Sequence, residues 1–104
     1  MQRFRKKPVV ITALQWSGAI EGLPALAEWA AQADLEARKR IGHMPSARDV
    51  VLPIDFVAPD KLEIRTMEGV MVASPHDWII CGVQGEFYPC KPHVFEATYE
   101  EVIG

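Results

Sequence analysis

The sequence has no apolar run near the ~20 residues that a membrane-crossing helix needs. The stretch "PVVITAL" at Pro8–Leu14 follows basic residues as in a secretory leader, but it is short and gives way to Gln15 and Trp16. No membrane partner is expected, and the location expected is cytoplasmic. Cysteine is scarce: Cys81 and Cys90 are the two in the chain, and in a reducing compartment they are expected as free thiols or ligands. There is no Gly-rich phosphate loop, no HExxH, no pair of carboxylates at a catalytic spacing, and no repeat or low-complexity tract. A strong charge bias is missing too: 11 Lys and Arg against 14 Asp and Glu leave a net charge of −3, which argues against a nucleic-acid binder. The charge is uneven, with Arg3, Arg5, Lys6 and Lys7 at the start and Glu96, Glu100 and Glu101 at the end. The arm "RFRKK" interleaves an aromatic with cations, yet so short an arm on an acidic chain supplies few phosphate contacts.

What is present is an ordinary globular composition. The 104 residues are 49% hydrophobic and 24% charged, enough for a single domain spanning residues 1–104 with one core. "KPVVITALQW" is rich in β-branched and aromatic residues and apolar on both alternations, which predicts an interior strand covered on both sides. Pro24 suits a first helical turn, and Leu26, Trp29, Ala30, Ala33, Ala37 and Ile41 recur as one stripe, predicting a helix over 26–41 that Gly42 ends. Asp34, a good N-cap, offers an alternative in which the helix breaks and restarts as "LEARKRI". Residues 43–60 are punctuated by proline; Val50, Leu52, Ile54 and Phe56 alternate as in a strand that Pro53 confines to an edge or bulge.

Two hairpins follow. In "KLEIRTMEGVMVAS" a three-residue loop with Gly69 in the left-handed conformation sets Thr66 opposite Val70 and Ile64 opposite Val72, giving one apolar and one charged face. "SPHDW" is a turn, with Asp77 able to bond the backbone. The second hairpin is "WIICGVQGEFYPCKP". Pro89 and Pro92 remove ladder donors and place its last strand at an edge, and Pro92 is suited to start a short helix carrying Phe95, Tyr99 and Val102.

The second hairpin also carries a resemblance. "RKKPVVITALQW" at Arg5–Trp16 and "GEFYPCKPHVFEATYE" at Gly85–Glu100 are similar to motifs of small proteins encoded by tailed bacteriophages and prophages. Both terminal thirds match, while the middle, Gly18 to Pro59, matches weakly. A turn like "GDYII" precedes the end motif in that group; here it reads "HDWII", with His76 where glycine is expected, which puts a positive φ there in question. The resemblance implies an accessory protein acting inside a bacterium, and it brings no catalytic residues with it.

The chemistry of the end motif turns on register. A turn at Gly85-Glu86 sets Cys81 opposite Cys90; a turn at Gln84-Gly85 sets Cys81 opposite Tyr88 and leaves the cysteines diagonal, ~7–8 Å apart and beyond disulfide reach. In both cases the two sulfurs share a face. His76, Cys81, Cys90 and His93 then offer a sulfur and nitrogen set of zinc type, although at no standard finger spacing. Cys90 with His93 and Glu96 is the one thiol-enzyme arrangement available. The expectation from all of this is an α+β fold: an antiparallel sheet of five or six strands packed against one main helix, plus a short C-terminal helix. The function expected is non-enzymatic and needs no cofactor: binding to a host protein or to further copies of the chain, with Tyr88 and Lys91 at the contact. The alternatives are a protein that sequesters an anionic nucleotide signal through Arg3, Arg5, Lys7 and aromatics, and a thiol- or zinc-dependent enzyme.

Overall fold

The computed structural model describes residues 1–5, 7–42 and 51–103. Among these residues it is an α+β fold with six strands and two α-helices, as the sequence predicts, but the strands form two antiparallel sheets of three rather than one. One sheet has the order β1 (Thr12–Gln15), β5 (Trp78–Cys81), β6 (Phe87–Cys90). The other runs β2 (Ile54–Val57), β3 (Lys61–Thr66), β4 (Gly69–Ala73). The helices are α1 (Leu23–Arg40) and α2 (Pro92–Thr98). No helix among the described residues is long and apolar enough to cross a membrane.

α1 starts with proline in its first turn, buries Leu26, Ala30, Ala33 and Ala37 as one stripe, and ends with Arg38, Lys39 and Arg40 where cations favour the helix C-terminus. It does not break at Asp34. That carboxylate lies inside the helix and accepts the Arg38 Nε–H one turn on, at 2.8 Å, which supports the helix instead of capping a new one. Ile41, assigned to the apolar stripe, lies past the helix end and is exposed. The small stripe lets the helix approach the β5–β6 turn so closely that a Cβ on Gly85 would meet the Ala37 Cβ at 3.2 Å.

The first strand departs from its expectation. β1 is four residues long and lies at a sheet edge, and Val9 and Val10 before it are exposed. Apolar residues on both alternations imitate a doubly covered strand, but burial here begins only where the chain reaches β5. Pro53 and Pro89 act as expected, since β2 begins just after Pro53 and β6, which contains Pro89, is an edge. The part of the proposed strand at Val50 lies outside the described residues.

Both hairpin registers differ from those predicted. Thr66 pairs with Gly69 and Ile64 with Met71, a two-residue loop. The Thr66 hydroxyl accepts the Glu68 N–H at 3.2 Å and donates to the Gly69 carbonyl at 2.7 Å, so a side chain closes the turn one residue earlier. In the second hairpin Cys81 pairs with Phe87 and Trp78 with Cys90. The Gly85 N–H donates to the Gly82 carbonyl at 3.0 Å and Gly85 has φ +85°, so a three-residue loop closed by a left-handed glycine occurs here; Gly69 also has the positive φ expected of it, +116°, but it follows a two-residue loop.

Trp16 joins the two sheets. It is 1% exposed and stands edge-on to Phe56, with ring centroids 6.2 Å apart. Its Nε1–H donates to the Asp60 carbonyl at 2.8 Å, its N–H donates to the Asp77 carbonyl at 2.8 Å, and its own carbonyl accepts the His76 N–H at 2.7 Å. Around it Leu26, Leu62, Ile64, Ile79 and Phe87 form one cluster drawn from both sheets and α1. Trp16→Ala is expected to lower unfolding free energy by ~3–5 kcal/mol. Trp16→Phe keeps the apolar ring but strips the half-buried Asp60 carbonyl of its donor, for a loss of ~1 kcal/mol. Urea unfolding of the three proteins tests this, and an unchanged midpoint for Trp16→Phe would show that the hydrogen bond does not hold the sheets.

Candidate functional site

Side chains alternate across a strand, so the observed registers decide which residues can act together. Thr12, Leu14, Ile79, Cys81, Phe87 and Pro89 share one face of the first sheet; Ala13, Gln15, Trp78, Ile80, Tyr88 and Cys90 share the other. The two cysteines therefore lie on opposite faces, which overturns the expectation that their sulfurs share one. Cys81 is buried in the core beside Phe87, whose ring meets Trp29 at 5.8 Å. Cys90 is half-buried on the face that α2 covers, where Phe95 stacks on Trp78 with centroids 4.2 Å apart and planes 8° from parallel.

The histidines do not complete a ligand set around either sulfur. His76 is exposed in the turn between β4 and β5, with φ +75°, so a histidine holds a left-handed backbone there. Its main-chain groups are engaged, the N–H with Trp16 and the carbonyl with the Gln15 amide at 3.0 Å. His93 is exposed on α2. Among the described residues no three His, Cys, Asp or Glu side chains come close enough to hold a metal ion.

The other candidates are also dispersed. Arg3, Arg5 and Lys7 are exposed before β1 and line none of the three clefts described below, and Lys6 lies outside the described residues. Lys91 is committed within the fold: its Nζ donates at 2.8 Å to the Asp77 carboxylate, which is buried and also accepts the Ser74 N–H at 2.9 Å. Asp77 thus bonds the backbone before it in the turn. Tyr88 is half-buried, and burial together with the Tyr99 hydroxyl pushes its phenol up from the ordinary range.

Three clefts among the described residues bear on these side chains. One of about 440 Å³ lies between Val9–Ile11, Trp78, Phe95 and Tyr99. A larger one, about 680 Å³, separates the turns of the two hairpins and is lined by Met67, Met71, Phe87 and Tyr88. A small one of about 130 Å³ separates α1 from β2 and β3.

The feature that sequence reasoning missed borders the second cleft. Because Thr66 closes its turn early, Val70 and Val72 share a face with Glu63 and Arg65 instead of the core, and they are 61% and 49% exposed; Met71 between them is 42% exposed. They lie on β4, an edge strand. The Arg65 N–H donates to the Pro53 carbonyl at 2.8 Å, so Arg65, Glu63 and Lys61 turn their main-chain groups toward β2. Thr66, Ile64 and Leu62 turn theirs toward Gly69, Met71 and Ala73 of β4. Val70 and Val72 consequently aim their N–H and C=O groups outward, and among the described residues no strand pairs with them.

The remaining edges carry devices that discourage pairing. β6 contains Pro89, β2 follows Pro53 and carries Asp55 in an ion pair with Arg65, and β1 is four residues with polar Thr12 and Gln15 at its ends. β4 reads "GVMVA", five residues without charge or proline, and is the longest of the four edges. The signal was present in the sequence as that charge-free run, masked by the register assumed for it. No protein-family model, curated protein or solved structure matches the chain.

The thiols give a test of the enzyme alternative. Burial, with the Glu86 carboxylate adding to it, pushes the Cys81 thiol up from 9.0 to about 11, and burial pushes Cys90 up as well. A thiol held above its ordinary range is protonated and slow at pH 7–8. The folded state holds the Cys81 proton more tightly than the unfolded chain, so its contribution to stability is complete below pH 9.0 and is lost as the pH rises toward about 11. Alkylation at pH 8 is expected to be slower in the native protein than after denaturation, with Cys90 reacting before Cys81. A native thiol that reacts faster than a denatured one would revive the nucleophile.

Proposed function

We propose that the chain is a non-enzymatic accessory protein of a phage or prophage, acting in the cytoplasm of the bacterial host, and that it binds a protein partner by strand addition at β4. The observation that carries the binding is the open edge: outward main-chain groups at Val70 and Val72 beside three exposed apolar side chains, on the longest edge strand among the described residues, which has neither charge nor proline. Strand addition uses such groups for affinity and the alternate side chains for selectivity. The phage or prophage setting rests on the resemblance at Arg5–Trp16 and Gly85–Glu100. Tyr88 keeps a role at this surface, because it lines the cleft that Met71 borders. Lys91, bound to Asp77, does not.

A photoreactive side chain introduced at Val70 and expressed in the bacterial host is expected to give a protein adduct, whereas the same group at Gln15 on the β1 edge gives none. Adding Val72→Lys, which places a charge on the edge at an exposed position, should reduce the adduct roughly tenfold while leaving the circular dichroism unchanged. No adduct from position 70, or equal adducts from positions 70 and 15, would exclude β4 as the binding edge.

A further inference from the structure

We infer that the partner seated on β4 is a second copy of this chain, paired antiparallel about a two-fold axis at Met71; this rests on the reading of β4 as the binding edge. The strand is its own complement. Antiparallel pairing centred on Met71 sets Gly69 against the partner subunit's Ala73, Val70 against the partner subunit's Val72, and Met71 against the partner subunit's Met71. Each opposed pair is apolar, and two are of the β-branched type that packs well across strands.

The main-chain groups fit the same axis. Val70 and Val72 are the residues whose N–H and C=O point outward. In the two-fold arrangement they oppose each other and exchange both bonds, while Met71, whose own groups face β3, falls at the non-bonded position between them. A pairing slipped by one residue would set outward groups against inward ones, and an axis moved to Val70 or Val72 would set the other valine against Glu68 or Ser74, whose N–H groups already bond the Thr66 hydroxyl and the Asp77 carboxylate.

Geometry selects the antiparallel sense, because it keeps the exposed faces of the two sheets on one side. On the exposed face Glu63 lies beside Val72 and Arg65 beside Val70. A row of the joined sheet then runs Glu63, Val72, the partner subunit's Val70, the partner subunit's Arg65, with opposite charges at its two ends. Parallel pairing through the same edge would turn one copy over, so that the exposed face of one sheet would continue into the core-facing side of the other. The result is one six-stranded sheet shared by two copies, with both open edges consumed. A five-residue edge lies below the ~1,200 Å² of stable specific interfaces, so the dimer is expected to be reversible and to depend on concentration.

Disulfide trapping reads the register directly. In a Cys90→Ser background, Met71→Cys places two thiols at a non-bonded pair with Cα atoms ~4.5 Å apart, inside the disulfide range. Val70→Cys or Val72→Cys alone sets each thiol two positions from its copy, at least ~7–8 Å away, whereas a mixture of the two variants opposes them. Mild oxidation is expected to link Met71→Cys into a dimer, to link each valine variant at least roughly tenfold less, and to restore linking in the mixture. Equal linking at all three positions, or none at position 71, would overturn the two-fold pairing. If position 71 fails to link while the photoreactive group at position 70 gives an adduct with another protein, the partner is not a second copy, yet β4 stands as a binding edge. If that adduct is also missing, both readings fall.

Discussion

The crossing from one sheet to the other constrains everything else in this fold. The chain leaves β4 at Ala73 and enters β5 at Trp78, so the turn Ser74–Asp77 makes the passage alone. It is held from inside by Asp77, whose carboxylate binds the Ser74 N–H and the Lys91 ammonium, and from the side by Trp16, whose backbone bonds His76 and Asp77. A carboxylate so buried is tolerable because each interaction satisfies charge or a donor; truncating Lys91 would strand it. Because the passage is immediate, the chain adds no strand beyond β4 in its own sheet. The open edge is thus a consequence of how the two sheets are joined.

That same passage explains the position of the aromatics. Trp16 extends from the end of β1 to the β2–β3 connection, where Asp60 accepts its indole, so the three-stranded sheets share a core without sharing a strand. α1 covers this core through alanines, and the large rings sit where the layers meet: Trp16 on Phe56, Trp29 on Phe87. On the opposite face of the first sheet the Trp78, Phe95 and Tyr99 rings pack together under α2, with the Phe95 and Tyr99 centroids 5.1 Å apart. The short helix is therefore held by its aromatics more than by its seven residues of intrinsic helicity.

Much of this was legible in the sequence. Pro24, Pro53, Pro89 and Pro92 mark helix starts and edges because a missing N–H has the same consequence in any context. The alanine and leucine stripe marks α1 for a similar reason, since its period belongs to the helix itself. Register was not legible, because it depends on which of several nearby groups closes a turn. At the first hairpin the Thr66 hydroxyl decided, and at the second the approach of Gly85 to Ala37 accompanies a loop longer than either turn considered. A slip of one residue exchanges the faces of a strand. One such slip carried two valines out of the expected core; another put Cys81 and Cys90 on opposite faces, so the two sulfurs do not share one.

An exposed apolar edge is ordinarily an aggregation hazard, and the deterrents on β1, β2 and β6 fit that view. The unprotected state of β4 has to be reconciled with them. Pairing with an unrelated strand leaves β4 dependent on that strand's abundance, and head-to-tail pairing through two different surfaces builds open filaments. Isologous pairing does neither, because each copy contributes the same edge and the contact closes at two. With the other three edges protected, a sheet shared by two copies through β4, as inferred, would have no further edge on which to grow. The sequence "GVMVA", symmetric about Met71 in everything but its small outer residues, would make every opposed pair in such a closure apolar.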